Sequence, residues 1–218
     1  MTISAVIFDF DETLAVPARS REAVLAESTE AVGAPDLSRE AYLEAHAKHL
    51  DSESRTPIFA EMLPEDSDTD PEELADAYRQ KVAESLRPVE GVPGLLADLR
   101  EEYALGLLTN GPSKAQWSKL DQFDWIDRFD ATAITGDLEA GKPDVRAFEA
   151  VLDDLGVDPD EAVYVGDDPE ADVEGARNAG LYAVQVLYEG SPDRHPDANA
   201  YVERDSLAAD LPGIVRDL

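Results

Sequence analysis

The sequence predicts an α/β protein: a parallel β-sheet with helices on both faces, interrupted after its first strand by an α-helical insert. Three observations carry this. From residue 91 onward, short apolar runs alternate with helical segments, the pattern of a parallel sheet. Between the first and second of these runs, residues 16–88 have helical but no strand character. Polar residues suited to chemistry recur where the apolar runs stop, and open α/β sheets bind ligands just outside the carboxyl ends of their strands.

Residues 5–10 read as a buried strand that ends in two carboxylates, Asp9 and Asp11. Pro17 fits a helix start. Residues 19–32 follow as a helix stopped by Gly33, then a helix capped by Ser38 that runs to residue 50. Residues 57–63 form a short third helix. Asp70-Pro71-Glu72-Glu73 reads as cap, proline at the first helical position and acids in the first turn of a helix reaching residue 86. These four helices make residues 15–88 a helical cap domain, set into a core of residues 1–14 and 89–218.

In that core, residues 92–103 form an amphipathic helix and Ala104–Thr109 a second strand, followed by Asn110 and Gly111. Ser113 caps a helix over 113–123. Residues 131–135 are a third strand, after which Gly141-Lys142-Pro143-Asp144 turns into a helix over Val145–Leu155, ended by Gly156. Ala162–Gly166 is a fourth strand, followed by Asp167 and Asp168. A short helix spans 172–179, a fifth strand 181–186, and an extended piece 200–202 precedes a last helix from Ser206. Asp9/Asp11, Thr109/Asn110, Lys142 and Asp167/Asp168 thus fall along one edge of one sheet.

Composition excludes several classes. With 49 acidic against 18 basic residues the net charge is −31, which excludes a nucleic-acid backbone as partner, since that binding rests on cations. There is no cysteine, hence no disulfide or thiolate metal site. No signal-peptide pattern precedes the first strand, and no apolar run approaches the roughly 18 residues of a membrane span. The expectation is a cytoplasmic protein with no membrane partner; nothing fixes an oligomeric state. The acids are spread through patterned segments and lysine is scarce, as on proteins of high-salt cytoplasms, where screening mutes self-repulsion.

Asp9, Asp11 and Asp167 offer hard oxygen ligands of the kind Mg²⁺ takes together with water and phosphate oxygens. A carboxylate can also attack phosphorus, and a second acid two residues on can move the protons. Thr109 supplies a hydroxyl and Lys142 a fixed cation suited to phosphoryl oxygens. Main-chain amides after Thr109 can join them.

These residues resemble the four motifs of the haloacid dehalogenase-like hydrolase superfamily. Asp9-Phe10-Asp11-Glu12-Thr13-Leu14 is similar to the first motif, Leu107-Leu108-Thr109-Asn110-Gly111 to the second, Lys142 to the third, and Val165-Gly166-Asp167-Asp168-Pro169-Glu170-Ala171-Asp172 to the fourth. The insert after the first motif stands where subfamily IA members carry a helical C1 cap. The resemblance implies a Rossmann-like core with the first strand central. It implies Asp9 as nucleophile, Asp11 as general acid and base, and Thr109, Asn110, Gly111 and Lys142 around the phosphoryl group. Mg²⁺ would be held by Asp9, Asp167 and the main-chain carbonyl of Asp11. Thr13 would fix the first turn and Asp172 would bond Lys142 or a metal-bound water. Asp168 stands where serine or asparagine is common and is expected to be a surface acid. Glu12 is expected to face solvent or the cap. Arg55, Phe59 and Tyr42 are candidates for facing the substrate.

The activity so implied is Mg²⁺-dependent hydrolysis of a small phosphorylated metabolite through an aspartyl-phosphate. A 2-haloacid dehalogenase or phosphomutase of the same superfamily is the alternative enzyme, and a noncatalytic binding or regulatory protein on this fold the alternative outside enzymes.

Overall fold

The structure is a computed structural model that describes residues 2–49 and 54–218. It divides into two compact units. The first comprises Met1–Val16, Pro88–Gly111 and Asp124–Leu218, and the second Pro17–Arg87 with Pro112–Phe123.

The strands in chain order are β1 (Ala5–Phe8), β2 (Ala15–Pro17), β3 (Leu86–Pro88), β4 (Ala104–Thr109), β5 (Ala131–Ile134), β6 (Ala162–Gly166), β7 (Tyr182–Leu187) and β8 (Ala200–Glu203). The helices are α1 (Arg21–Val32), α2 (Arg39–Lys48), α3 (Thr56–Met62), α4 (Pro71–Glu84), α5 (Val92–Leu99), α6 (Ser113–Gln122), α7 (Val145–Leu155), α8 (Gly175–Asn178) and α9 (Leu207–Asp217).

In the first unit, six strands form a sheet in the order β5-β4-β1-β6-β7-β8. Every pairing is parallel. The chain builds outward from β1 to β5, then crosses back to β6 on the other side of β1. That reversal is a topological switch point, where doubly wound sheets open their binding crevice. The central strands are apolar throughout because helices cover both faces: β1, β6 and all of β4 past Ala104 are buried. On one face Phe148, Val151 and Leu152 of α7 pack against Ile7, Leu108 and Tyr164. Gly106 permits the approach, since a Cβ there would lie 3.0 Å from both Ile7 and Leu155 side-chain carbons.

In the second unit, Val24, Leu25, Tyr42, Ala45, Phe59, Leu74, Tyr78 and Val82 make a separate core. Tyr42, Phe59 and Tyr78 pack ring against ring at 5.1–5.8 Å. Arg79 of α4 donates to Ser118 Oγ of α6 at 2.6 Å. Ser20, Ser38 and Asp70 cap α1, α2 and α4 through their side chains.

The departures from the sequence reading have local causes. Residues 16–88 are not free of strand: β2 and β3 pair where the chain enters and leaves the helical unit. Pro17 therefore ends a strand and does not start a helix, a place that suits an imide lacking a ladder donor. Leu86, read as helical, begins β3. Ser113 is the first residue of α6, and Pro112 is its cap. The helix expected from Asp172 begins earlier, as a π-helical segment over Pro169–Glu174 that continues into α8. The piece at 200–202 is a full member of the sheet. The predicted end of α2 at residue 50 lies outside the described residues. Tyr42 and Phe59, candidates for facing substrate, are 4% and 0% exposed within the helical core. Among the described residues no helix is long and apolar enough to cross a membrane.

Candidate active site

Four strands of the first unit deliver the chemistry-bearing residues to one sheet edge. β1 stops at Phe8, and the Asp9 amide still donates to Val165 O of β6 at 2.9 Å, so the catalytic candidate is held by the ladder although it lies beyond the strand. A tight turn follows. Leu14 N and Ala15 N both donate to Phe10 O, and Glu12 N donates to Ala15 O at 2.9 Å. Glu12 takes a left-handed φ of 61°, an uncommon state for a residue with a Cβ. Thr13 is fully buried, and its hydroxyl makes no hydrogen bond among the described residues. Burial, and not a hydrogen bond from Thr13, fixes that side chain.

Lys142 is the hub. Its ammonium donates to Asp9 Oδ1 at 2.7 Å, Asp172 Oδ1 at 2.6 Å and Tyr164 Oη at 2.7 Å. Its three donors are thereby used, and its side chain is 3% exposed. The backbone of Lys142 is held as firmly. Its N–H donates to Asn110 Oδ1 at 2.9 Å, and Asn110 Nδ2 donates to Lys142 O at 3.1 Å. Tyr164 in turn donates to Leu108 O at 2.7 Å.

Asp172 Oδ2 accepts from Asp168 N at 2.9 Å. This requires a close approach to Gly166, where a Cβ would lie 2.5 Å from Asp172 Cγ. Glycine is required at 166 for that reason. Asp172 is therefore not a helix cap. Asp168 is the cap, its Oδ1 accepting from Glu170 N and Ala171 N. Asp167 is half-buried, and Tyr188 Oη donates to its Oδ2 at 3.0 Å.

Ligand oxygens of Asp9, Asp167 and Asp172 lie within 4.8 Å of one another. Burial, opposed by Lys142 and reinforced by the charges of Asp172 and Asp11, pushes Asp9 up to about 8. Burial and the Asp172 charge push Asp167 up to about 6. Burial works against the Lys142 ammonium, but Asp172 and Asp9 outweigh it and hold its pKa above the ordinary lysine range. One ammonium thus pairs with Asp9 and Asp172, while Asp167 shares the cluster and the Asp11 charge also acts on Asp9. That surplus of hard carboxylate oxygen fits a small dication.

Of the sequence candidates, Asp9, Lys142, Asp167 and Asp172 converge in one cluster. Asp11, half-buried, lies in the turn after Asp9, and its charge acts on it. Thr109 closes β4 and is 1% exposed. Gly111, expected to offer its amide to phosphate, donates that N–H to Thr135 Oγ1 at 3.1 Å. Glu12 does not face solvent alone: its carboxylate accepts from Arg204 Nη1 at 2.8 Å. Tyr164, Tyr188 and Arg204 escaped the sequence reading. Each stands in or directly beyond a strand of this edge, which was the available signal.

The sequence profile described as haloacid dehalogenase-like hydrolase matches residues 6–186. A phosphoserine phosphatase of Thermus thermophilus is 40% identical over 150 residues, 66% of this chain but only 59% of that enzyme. A glyceraldehyde 3-phosphate phosphatase of Methanopyrus kandleri is 31% identical over 205 residues, 89% of this chain and 88% of that enzyme. The solved structure of a HAD phosphatase from Thermococcus onnurineus superimposes with a TM-score of 0.72 at 29% identity, covering 98% of each chain. The profile match encloses Asp9, Thr109, Lys142 and Asp167 alike and spans most of the sequence: this chain belongs to the haloacid dehalogenase-like hydrolase family.

Proposed function

We propose that this protein is a Mg²⁺-dependent phosphomonoesterase that acts on a small phosphorylated metabolite. The observation that carries the reading is the cluster of Asp9, Asp167 and Asp172 oxygens within 4.8 Å of one another, two of these residues paired with the Lys142 ammonium. A phosphate dianion cannot enter such a site unless the carboxylate charge is offset. Bound Mg²⁺, held by the Asp9 and Asp167 carboxylates and the Asp11 carbonyl, would supply that offset and draw charge from the phosphoryl oxygens.

In this reading Asp9 attacks phosphorus, with Lys142 fixing the rotation of its carboxylate through Oδ1. Asp11 gives a proton to the leaving alcohol as the bond from phosphorus to oxygen breaks. Water, losing its proton to Asp11, then attacks the aspartyl-phosphate. Inorganic phosphate leaves and the Asp9 carboxylate returns. Thr109 donates its hydroxyl to the phosphoryl group, while Asn110 keeps Lys142 in place. Residues 15–88 act as the cap domain, in which selectivity among leaving groups resides. Relatives named for phosphoserine and glyceraldehyde 3-phosphate support a small phosphate ester as substrate. The charge of −31 supports work in a high-salt cytoplasm.

The test is hydrolysis of p-nitrophenyl phosphate in molar KCl, with and without Mg²⁺, beside chloride release from haloacetate. Mg²⁺-dependent nitrophenol release without chloride release is expected. Chloride release in the absence of Mg²⁺ would replace the reading with a dehalogenase.

A further inference from the structure

Tyr188 lies directly after β7 and Arg204 directly after β8, both in the sheet unit. Tyr188 Oη donates to Asp167 Oδ2 at 3.0 Å. The Arg204 guanidinium carbon lies 3.9 Å from the centroid of the Tyr188 ring, a close cation–π contact. The same guanidinium donates through Nη1 to Glu12 Oε2 at 2.8 Å and to Glu12 O at 3.2 Å. Glu12 is the left-handed residue between Asp11 and Thr13. A continuous chain of contacts therefore runs from Asp167 through Tyr188 and Arg204 to the turn that carries Asp11.

We propose that Tyr188 and Arg204 are positioning residues for the divalent-cation site, holding the Asp167 carboxylate and the turn at Asp11–Thr13 in one fixed arrangement. The inference rests on the function proposed above and adds two residues to it. Three arguments carry it. Asp167 is half-buried among like charges, so its carboxylate needs a donor to fix its rotation, and Tyr188 Oη is that donor. Hydrogen bonds to a ligating carboxylate set its orientation and basicity. Arg204 packs over the Tyr188 ring and so holds the hydroxyl on Asp167, and Arg204 is placed there by Glu12. The left-handed backbone at Glu12 is costly without support, and Arg204 binds both the carbonyl and the carboxylate of that residue. Tyr188 itself is fixed by Ser191, whose N–H donates to Tyr188 O at 2.9 Å.

Mg²⁺ binding is measured by titration calorimetry on the full chain without substrate, for wild type, Tyr188→Phe, Arg204→Gln and the double variant. Tyr188→Phe keeps the ring and removes only the donor. It should raise the Mg²⁺ Kd by roughly 10-fold or more, while KM for p-nitrophenyl phosphate at saturating Mg²⁺ stays within about 2-fold, the ordinary scatter of a contact-free change. Arg204→Gln should weaken Mg²⁺ in the same way, and the double variant should lose less than the product of the two effects, because Arg204 acts in part through the Tyr188 ring it covers. Wild-type Mg²⁺ affinity in Tyr188→Phe overturns the inference, as do fully multiplicative effects. If wild type binds Mg²⁺ and hydrolyses the ester but the variants match it, only this inference fails. If wild type does neither, the proposed function fails and this inference with it.

Discussion

The Lys142 ammonium and the Asp9 carboxylate, 133 residues apart in the chain, meet at 2.7 Å in the interior of the sheet unit. Neither is stable there alone. Lys142→Met leaves Asp172 buried without its counter-charge and Asp9 without its donor, and losing one member of a buried pair costs about 3–5 kcal/mol. Chemical denaturation should show a loss on that scale. Turnover at a temperature where the variant is folded should fall about 10²–10³-fold, the scale of a lost charge-stabilising donor. A variant with wild-type stability would mean that the pair is not formed in solution.

Gly166→Ala tests the packing behind that pair. The added methyl falls 2.5 Å from Asp172 Cγ, so Asp172, which accepts from Lys142, must shift. A destabilisation of about 1–3 kcal/mol is expected from overpacking, with loss of activity in the folded fraction. Unchanged denaturation and turnover would contradict the close approach of Gly166 and Asp172.

Metal removal and pH are linked through Asp9 and Asp167. Without metal the folded carboxyls hold their protons up to about 8 and about 6, against 3.8 in the unfolded chain. The folded state binds more protons than the unfolded state in that window. Its stability relative to the unfolded chain therefore falls as pH rises, first through the Asp167 value and then through the Asp9 value. In EDTA, melting temperature should decline from about pH 5 to pH 8, and Asp167→Asn should make the part of the decline below about pH 6 shallower. Mg²⁺ should reverse the slope, since it binds the deprotonated form. A melting temperature that rises through this range in EDTA, equally in wild type and Asp167→Asn, would contradict the assignment.

The charge of −31 has its own consequence. Two of the five lysines, Lys119 and Lys142, are buried, so the surface is poorer in lysine than the sequence suggests. Self-repulsion then needs screening, and at about 1 M salt the screening length is near 3 Å. Circular dichroism should show loss of structure as KCl is lowered below about 1 M. A protein equally stable in dilute buffer would contradict the high-salt reading.

The sheet was legible because its strands are continuous apolar runs and several helices begin or end with recognisable caps: Ser38 and Asp70 before them, Gly33 and Gly156 after. β2 and β3 were not, because three-residue strands carry no period. The π-helical segment was not, because Asp168 rather than Asp172 caps it, and two acids four residues apart look alike in sequence. In the site, Asp9, Lys142 and Asp167 could be read from strand-end placement and Asp172 only through the family resemblance, while Tyr164, Tyr188 and Arg204 could not be read. Tyr164 looks like an apolar strand residue until its hydroxyl is asked for a buried partner. Arg204 and Glu12, 192 residues apart, show no pattern that would pair them, and only the order of β7 and β8 at the sheet edge brings them together.

The most direct measurement is p-nitrophenyl phosphate hydrolysis by wild type and Asp9→Asn in molar KCl with Mg²⁺. The exchange is nearly isosteric and leaves Asp172 as the charged partner of Lys142, so the variant should still fold. Its turnover should fall by roughly 10⁴-fold or more, the scale of a lost nucleophile, with no phosphoenzyme trapped on rapid acid quench. Turnover within about 10-fold of wild type would contradict Asp9 as the attacking group, and with it the reaction proposed for this protein.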